Sequence, residues 1–458
     1  MRAVEISKDY SHMGNNPERT GRAPVHTFYS ENAWIEGSAV DQLNQVADHP
    51  ETISVAAMPD LHPGKYGPVG CAILSRTIRP ELVGSDISCG MALFALDEPA
   101  RRLRLDKAAE RLRGLGESWD GDAQARLAQA GLAEAGFAGV LGTVGGGNHF
   151  CEVQAVGDVF DSNALEAQGL QKDSLCLLVH SGSRGLGNAI LEDVLRDGLV
   201  SLDPAGDQAV QYRQRHDAAV RWATLNRQII AERAAKALRM EPRLIVDDPH
   251  NLLEVHDGAI LHRKGAATVT RASSGLVPIA GSRATLSHLV RWTGGAHAML
   301  TVSHGSGRKY DRASPRARAG NSKSDLARLQ RNPFGGYVIC EDKALLAEEA
   351  GEAYKDSGKV IGDLESHGLV ARVATLKPLV TFKARERPAT CEVSCGGPGD
   401  DQTSDHQWTR AGGMPARARP CPEANAAGGF CSQFGYGRRI GRRAGQAWPR
   451  FGNRHPVW

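Results

Sequence analysis

Aromatic residues are scarce in this chain, 5% of its 458 residues, so stacking of bases on aromatic platforms is not expected to be its main mode of binding. A surplus of one charge is also missing. Lys and Arg number 55 against 52 Asp and Glu, and the net of +3 argues neither for nor against nucleic acid. No apolar run approaches the roughly 18–20 residues of a membrane span. The opening MRAVEISKDYSHMGNN lacks the apolar core of a secretory signal, so the expected compartment is the cytoplasm. The nine cysteines have no framework spacing, and disulfides are not expected in a reducing compartment. What is present is a hydrophobic content of 41%, enough for a real core, and 52 glycines, many of them in short motif turns.

Two such turns fall between Met58 and Met91: Asp60-Leu61-His62-Pro63-Gly64 and Gly84-Ser85-Asp86-Ile87-Ser88-Cys89-Gly90. Glycine reaches backbone angles closed to other residues, so a glycine-bounded turn can aim Asp86 and Cys89 at one point. A carboxylate and a thiolate converging there make half of a divalent metal site.

The apolar patterning predicts strands at Ile53 to Met58, Val69 to Leu74, Met91 to Leu96 and Ser174 to Val179. A short strand is expected near His26–Tyr29 and helical turns over Val40–Val46. Two helices are expected between Arg101 and Ala138, and a long one over residues 209–238 whose arginines face solvent. A closing strand is expected at Leu379–Lys383. The fold class is α/β, with mixed sheets flanked by helices.

Further glycine turns carry histidines. Leu141-Gly142-Thr143-Val144-Gly145-Gly146-Gly147 delivers Asn148 and His149 into the start of a strand, either as a structural turn or as backbone N–H donors for a phosphate. His180 ends a buried strand, and Ser181-Gly182-Ser183-Arg184-Gly185-Leu186-Gly187 opens a helix whose N-terminus and Arg184 suit an anion. Pro249 keeps any helix from running through His250-Asn251. His262-Arg263-Lys264-Gly265 is either a charged strand edge or a phosphate contact. The loop from Pro278 to Ser287 is rich in hydroxyls. Ser303-His304-Gly305-Ser306-Gly307-Arg308, with Arg312 beyond, holds a sterically open imidazole able to attack phosphorus or to bind metal. Arg308 and Arg312 would neutralise the phosphate attacked. Asp86, Cys89, His149, His180 and His250 together suffice for two ions if the thiolate bridges, and the mixture of soft and hard ligands suits manganese, zinc or iron more than magnesium.

From about residue 50 to Lys383 these motifs, in this order, resemble the RtcB-type RNA ligases: MPDLHPG, GSDISCG, GTVGGGNHFCE, HSGSRGLG, His250-Asn251, RKGA, Ser282 with Ser287, HGSGR, AYKD and Lys383. The resemblance implies a single large catalytic domain over 1–385. It implies a GTP-dependent ligase joining RNA 3′-phosphate or 2′,3′-cyclic phosphate ends to 5′-hydroxyl ends, in RNA repair or tRNA splicing. Asp86, Cys89, His149, His180 and His250 would hold two Mn²⁺, with Cys89 bridging, and His304 would take GMP from GTP. Asn148, Glu152, Asn251, Ser282, Ser287, Gly305, Ser306, Gly307, Tyr354 and Lys383 would contact the guanylate. Arg184, Lys264, Arg308 and Arg312 would meet RNA phosphates. The turn DISC, where Asn more often precedes the Cys, and Asp311, where Ser is common, point to a divergent RNA-repair branch. An archease-like activator or a release-factor-like protein is then a candidate partner.

Two other readings use the same residues. A metal-dependent phosphodiesterase or cyclic-phosphate hydrolase would need the metal ligands but not His304, and a catalytically decayed RNA-binding accessory protein would need neither. After Arg385 the composition shifts to GGPGDD, ARARP and YGRRIGRRAG, arginine-rich and without lysine. Residues 386–458 are expected to be a disordered tail, and the irregular spacing of Cys391, Cys395, Cys421 and Cys431 does not make a zinc site.

Overall fold

Fifteen strands, numbered in chain order, carry the architecture of the computed structural model, which describes residues 21–256, 258–270, 275–311, 314–315 and 322–385. Arg312 and the four cysteines of the 386–458 segment lie outside the described residues. All described residues belong to one compact unit.

The smaller sheet runs β1 (Val25–Thr27), β2 (Thr52–His62), β3 (Val69–Ser75), β9 (Ala259–Lys264), β8 (Asn251–His256). A two-stranded ribbon pairs β10 (Ala266–Thr268) with β13 (Thr301–Ser303). The larger sheet runs β11 (Leu276–Ile279), β12 (Ser287–Trp292), β15 (Val370–Lys383), β5 (Phe150–Val159), β6 (Ser174–Ser181), β4 (Gly90–Pro99), β7 (Pro242–Pro249), with β14 (Tyr337–Cys340) parallel to the end of β15. It curls until β11 packs against β7.

The helices up to residue 238 are α1 (Gly37–Asp48), α2 (Leu105–Leu112), α3 (Ala123–Gln129), α4 (Ser162–Glu166), α5 (Gly185–Arg196) and α6 (Asp207–Leu238). Strand β6 reads as a near-continuous apolar run because both of its faces are covered. Leu175, Leu177 and Val179 join Ile230, Ala231 and Ala234 of α6 in one core cluster, while Cys176 and Leu178 join Leu289, Ala374 and Leu376 in another.

The expected strands and helices all form, several of them longer than the patterning indicated. Strand β2 extends to His62, and β15 begins at Val370 rather than Leu379. Two expectations are corrected. Strand β9 is interior, between β3 and β8, so Arg263 and Lys264 are buried and do not line an edge. The arginines of α6 do not all face solvent, because Arg227 is 0% exposed. It lies four residues after Ala223 and four before Ala231, on the stripe that packs against the sheet.

What this topology does for function is visible in four adjacent strands. Phe150 pairs with His180, His180 with Met91, and Gly90 with both Ser181 and Pro249. Cys89, His149, His180 and His250 therefore emerge at one end of β5-β6-β4-β7.

Candidate metal and nucleotide site

At that strand end the donor atoms nearly touch. Cys89 Sγ lies 3.2 Å from His149 Nε2 and 3.1 Å from His180 Nε2. His180 Nε2 is 3.4 Å from His250 Nε2, and His149 Nε2 is 2.7 Å from Asp86 Oδ2. They form two three-donor sets, Cys89-His180-His250 and Asp86-Cys89-His149, which share the thiol. A dinuclear centre with a bridging thiolate needs that arrangement.

The electrostatics fit a cation. Burial, then the charges of neighbouring imidazoles, lowers His180 and His250 well below the usual value, so both rings are neutral and carry lone pairs. Burial pushes the Cys89 thiol well up in the absence of metal, with Asp86 adding to it, and a bound ion would reverse this. Burial also raises the Asp86 carboxyl, but the charge and hydrogen bond of His149 more than offset it and the carboxylate is retained. Asp86 Oδ1 and the Nδ1 atoms of His149 and His250 are buried without a hydrogen-bond partner.

The backbone around the cluster is held from outside. The buried Arg227 guanidinium donates to Ser88 O at 2.6 Å and Ser181 O at 3.0 Å, and pairs with Asp247 at 2.7 and 3.0 Å. It thus fixes the residues just before Cys89 and just after His180. Asn251 ties two turns together, donating to Asp86 O at 3.1 Å and accepting from Gly265 N–H at 2.7 Å. Gly182 is required by contact: a Cβ there would stand 2.1 Å from Asp86 Oδ1. Gly145, with φ +95, lies against the Arg184 guanidinium, where a Cβ would come within 2.1 Å. The glycine-rich turn before Asn148 therefore packs on an arginine at the start of α5.

His304 stands beside the cluster at the end of β13, its ring centroid 4.5 Å from that of His250. Its Nδ1 lies 2.7 Å from Oδ2 of the fully buried Asp60, in contact without an aligned hydrogen bond, and its backbone N–H donates to the same oxygen at 3.2 Å. Burial raises the Asp60 carboxyl and contact with His304 brings it below the ordinary value, so it is a carboxylate. Asp60 sits where β2 slips register against β3 between Ala57 and His62, a bulge that turns its side chain toward β13.

A crevice opens from His304. Its lining includes Asn148, Glu152, Ser282, Gly305, Ser306, Gly307, Arg308, Tyr354 and Lys383. In the same lining, the buried Glu349 gathers Arg308 Nη1 at 2.9 Å, Lys383 Nζ at 3.3 Å and the Tyr354 hydroxyl. Lys383 also donates to His149 O at 3.0 Å, which joins the crevice wall to the donor cluster. Glu152 accepts from Gln154 at 2.6 Å and from Thr381. Ser287 accepts from Gln154 and from Gly281 N–H, each at 3.0 Å, and so braces the crevice from behind. Lys264 turns away and donates to Glu81 O at 3.1 Å, and burial lowers it to about 8. Sequence reasoning assigned no role to Asp60, Arg227 or Glu349.

A family model described as tRNA-splicing ligase RtcB matches residues 42–118 and 117–384. The chain belongs to the RtcB family. The RNA-splicing ligase RtcB2 of Escherichia coli is 38% identical over 369 residues, covering 78% of this chain and 95% of that protein. The RNA-splicing ligase RtcB of Mycobacterium tuberculosis is 28% identical over 75% of this chain and 100% of its own length. The tRNA-splicing ligase RtcB of Methanocaldococcus jannaschii is 30% identical over 288 residues, 53% of this chain and 29% of that protein. The RtcB match ends at residue 384, one past Lys383, and spans every described residue of the donor cluster and the crevice. No helix among the described residues is long and apolar enough to cross a membrane.

Proposed function

We propose that this protein is an RNA ligase that uses GTP and two manganese ions to join an RNA 3′-phosphate or 2′,3′-cyclic phosphate to a 5′-hydroxyl. Family membership supports the ligase class. The observation that carries the mechanism is the placement of His304 between the Asp60 carboxylate and a donor set suited to two metals. Bound there by Asp86, Cys89, His149, His180 and His250, the metals supply Lewis acidity at phosphoryl oxygens.

The remaining work falls to the chain. In the tautomer with Nδ1–H toward Asp60, Nε2 of His304 holds the lone pair. It attacks the α-phosphorus of GTP, an N–P bond forms, and the bond to pyrophosphate breaks. The positive charge growing on the imidazole is met by Asp60, the role a buried carboxylate plays beside any catalytic histidine. GMP then passes to the RNA 3′-phosphate, a 2′,3′-cyclic end having first been opened by water to the 3′-phosphate and a 2′-hydroxyl, and attack by the 5′-hydroxyl expels the GMP. The crevice lined by Glu152, Glu349, Tyr354 and Lys383 takes the guanosine; a carboxylate suits the adjacent N1–H and N2–H donors of guanine and disfavours adenine, whose N1 is an acceptor. In this reading Arg184 and Arg308 would meet RNA phosphates, and residues 1–385 would be the catalytic unit.

Incubating the protein with Mn²⁺ and α-labelled GTP, then running a denaturing gel, tests this. An acid-labile, base-stable labelled band is expected, and it should vanish in His304→Ala while manganese stays bound. No band from metal-loaded protein would transfer the site to a phosphodiesterase, which needs the cluster but not the His304–Asp60 pair.

A further inference from the structure

Aromatic side chains are few here, and among the described tryptophans only Trp34 is exposed, at 53%; Trp222 is fully buried and Trp119 and Trp292 are half-buried. Trp34 is not isolated. Tyr310 meets it edge-on, with ring centroids 6.5 Å apart, and Lys309 Nζ stands 5.4 Å from the Trp34 ring and 5.5 Å from the Tyr310 ring. The cluster continues a wall of the crevice. Arg308, which lines the crevice, bridges to Tyr354, Lys309 N–H donates to Ala353 O at 2.7 Å, and Lys355 N–H donates to Gly307 O at 3.0 Å. Tyr310 is two residues beyond Arg308, a reach of about 7 Å in extended chain.

From this we infer that Trp34, Lys309 and Tyr310 form a stacking platform for an unpaired base of the RNA end being sealed, an inference that rests on the ligase reading. An open indole face offers a base the contact that is sequence-tolerant because every base has a π-face. The cation beside both rings selects among occupants. An apolar peptide segment would desolvate Lys309 for no return, whereas a nucleotide brings a phosphate to the lysine together with a base for the ring. The platform reconciles an RNA substrate with an aromatic-poor chain: one base is gripped beside the reacting end and the rest of the strand is held by charge.

The test uses the full chain with Mn²⁺, a mixed-sequence single-stranded RNA carrying a 3′-phosphate and a fluorophore, and anisotropy as the readout for wild type, Trp34→Ala, Trp34→Phe and Tyr310→Ala. Guanylation by labelled GTP without RNA is measured in parallel. Trp34→Ala is expected to weaken RNA binding about ten-fold, Trp34→Phe to recover most of the loss, Tyr310→Ala to weaken binding in the same direction, and guanylation to stay at the wild-type level in all. Equal RNA affinity in Trp34→Ala overturns the platform and leaves the ligase reading intact. A Phe variant as weak as the Ala variant also overturns it, since ring stacking would not then be what Trp34 supplies. A wild type that takes label from GTP but binds no RNA overturns the RNA reading, and the platform with it.

Discussion

In the proposed mechanism one carboxylate decides which nitrogen of His304 attacks. Asp60 is fully buried, lies 2.7 Å from Nδ1, and also accepts the His304 backbone N–H, so it holds the residue from both its backbone and its ring and favours the tautomer with Nδ1–H toward the carboxylate. Asp60→Asn is close in size but offers no charge to the growing imidazolium. Single-turnover guanylation is expected to fall about a thousand-fold or more, as when the orienting carboxylate of a catalytic histidine is neutralised. Manganese affinity, measured by titration, should stay near wild type, because Asp60 belongs to neither donor set; a parallel loss of metal would make Asp60 a structural residue instead. Residues of this kind were only partly legible in the sequence. The turn holding Asp60 drew notice through its proline and glycine, but its contact with His304 spans 244 positions and depends on a bulge. Arg227 did leave a signal, its position on the apolar stripe of α6, which the general expectation for arginines outweighed. Glu349 left none, because an acid near the end of a helix reads as solvated until Arg308 and Lys383 from distant segments, with Tyr354 five residues on, are seen to converge on it.

At the level of elements, strand ends were legible because a buried apolar run stopped at His, Asn, Pro or Gly, and the site was built from those stops. The order of the strands was not. Phe382 pairs with Cys151 and Ser287 with Leu376, links that no local pattern encodes. The turn from β6 into α5 shows how tightly an element's end is constrained by its neighbour. Gly182→Ala would place a methyl 2.1 Å from Asp86 Oδ1, in a turn whose backbone is also held at Ser181 O by Arg227. Asp86 must move, and one donor set opens. Manganese binding is expected to weaken ten-fold or more, the range found when the supports of a metal ligand are removed, with the thermal midpoint less affected than the metal affinity. Gly362→Ala is the control. A methyl added at that helical glycine would meet nothing within 4 Å, and the substitution is expected to stabilise by about 0.5–1 kcal/mol and leave metal binding alone. Equal manganese affinity in wild type and Gly182→Ala would mean that Asp86 is not held where its ligand role requires.

For the molecule as a whole, near-neutral charge leaves acid sensitivity to particular buried groups. Burial lowers His262 to about 3, and burial together with the charge of Arg372 lowers His288 to about 4. Both lie in sheets away from the donor cluster. His262 Nε2 accepts the Arg79 backbone N–H at 2.9 Å, so protonation would replace a hydrogen bond with two opposed donors. In the unfolded chain both imidazoles titrate near 6.5. Their folded values lie below that, so the unfolded state binds more protons across the window from about 6.5 down to about 4. Stability must therefore fall as the pH falls through it, by up to about 1.4 kcal/mol per pH unit for each ring, and these two groups contribute no slope above about pH 7.5. Thermal unfolding followed from pH 7.5 to 4.5, with chelator present so that metal release does not mix in, should show a midpoint that declines on the acid side. His262→Gln keeps an acceptor for Arg79 but cannot take up a proton, so its stability curve should lose about one proton of slope near pH 5. A slope identical to wild type would mean that His262 takes up its proton in the fold as readily as in the unfolded chain, and that the Arg79 N–H bond does not oppose it.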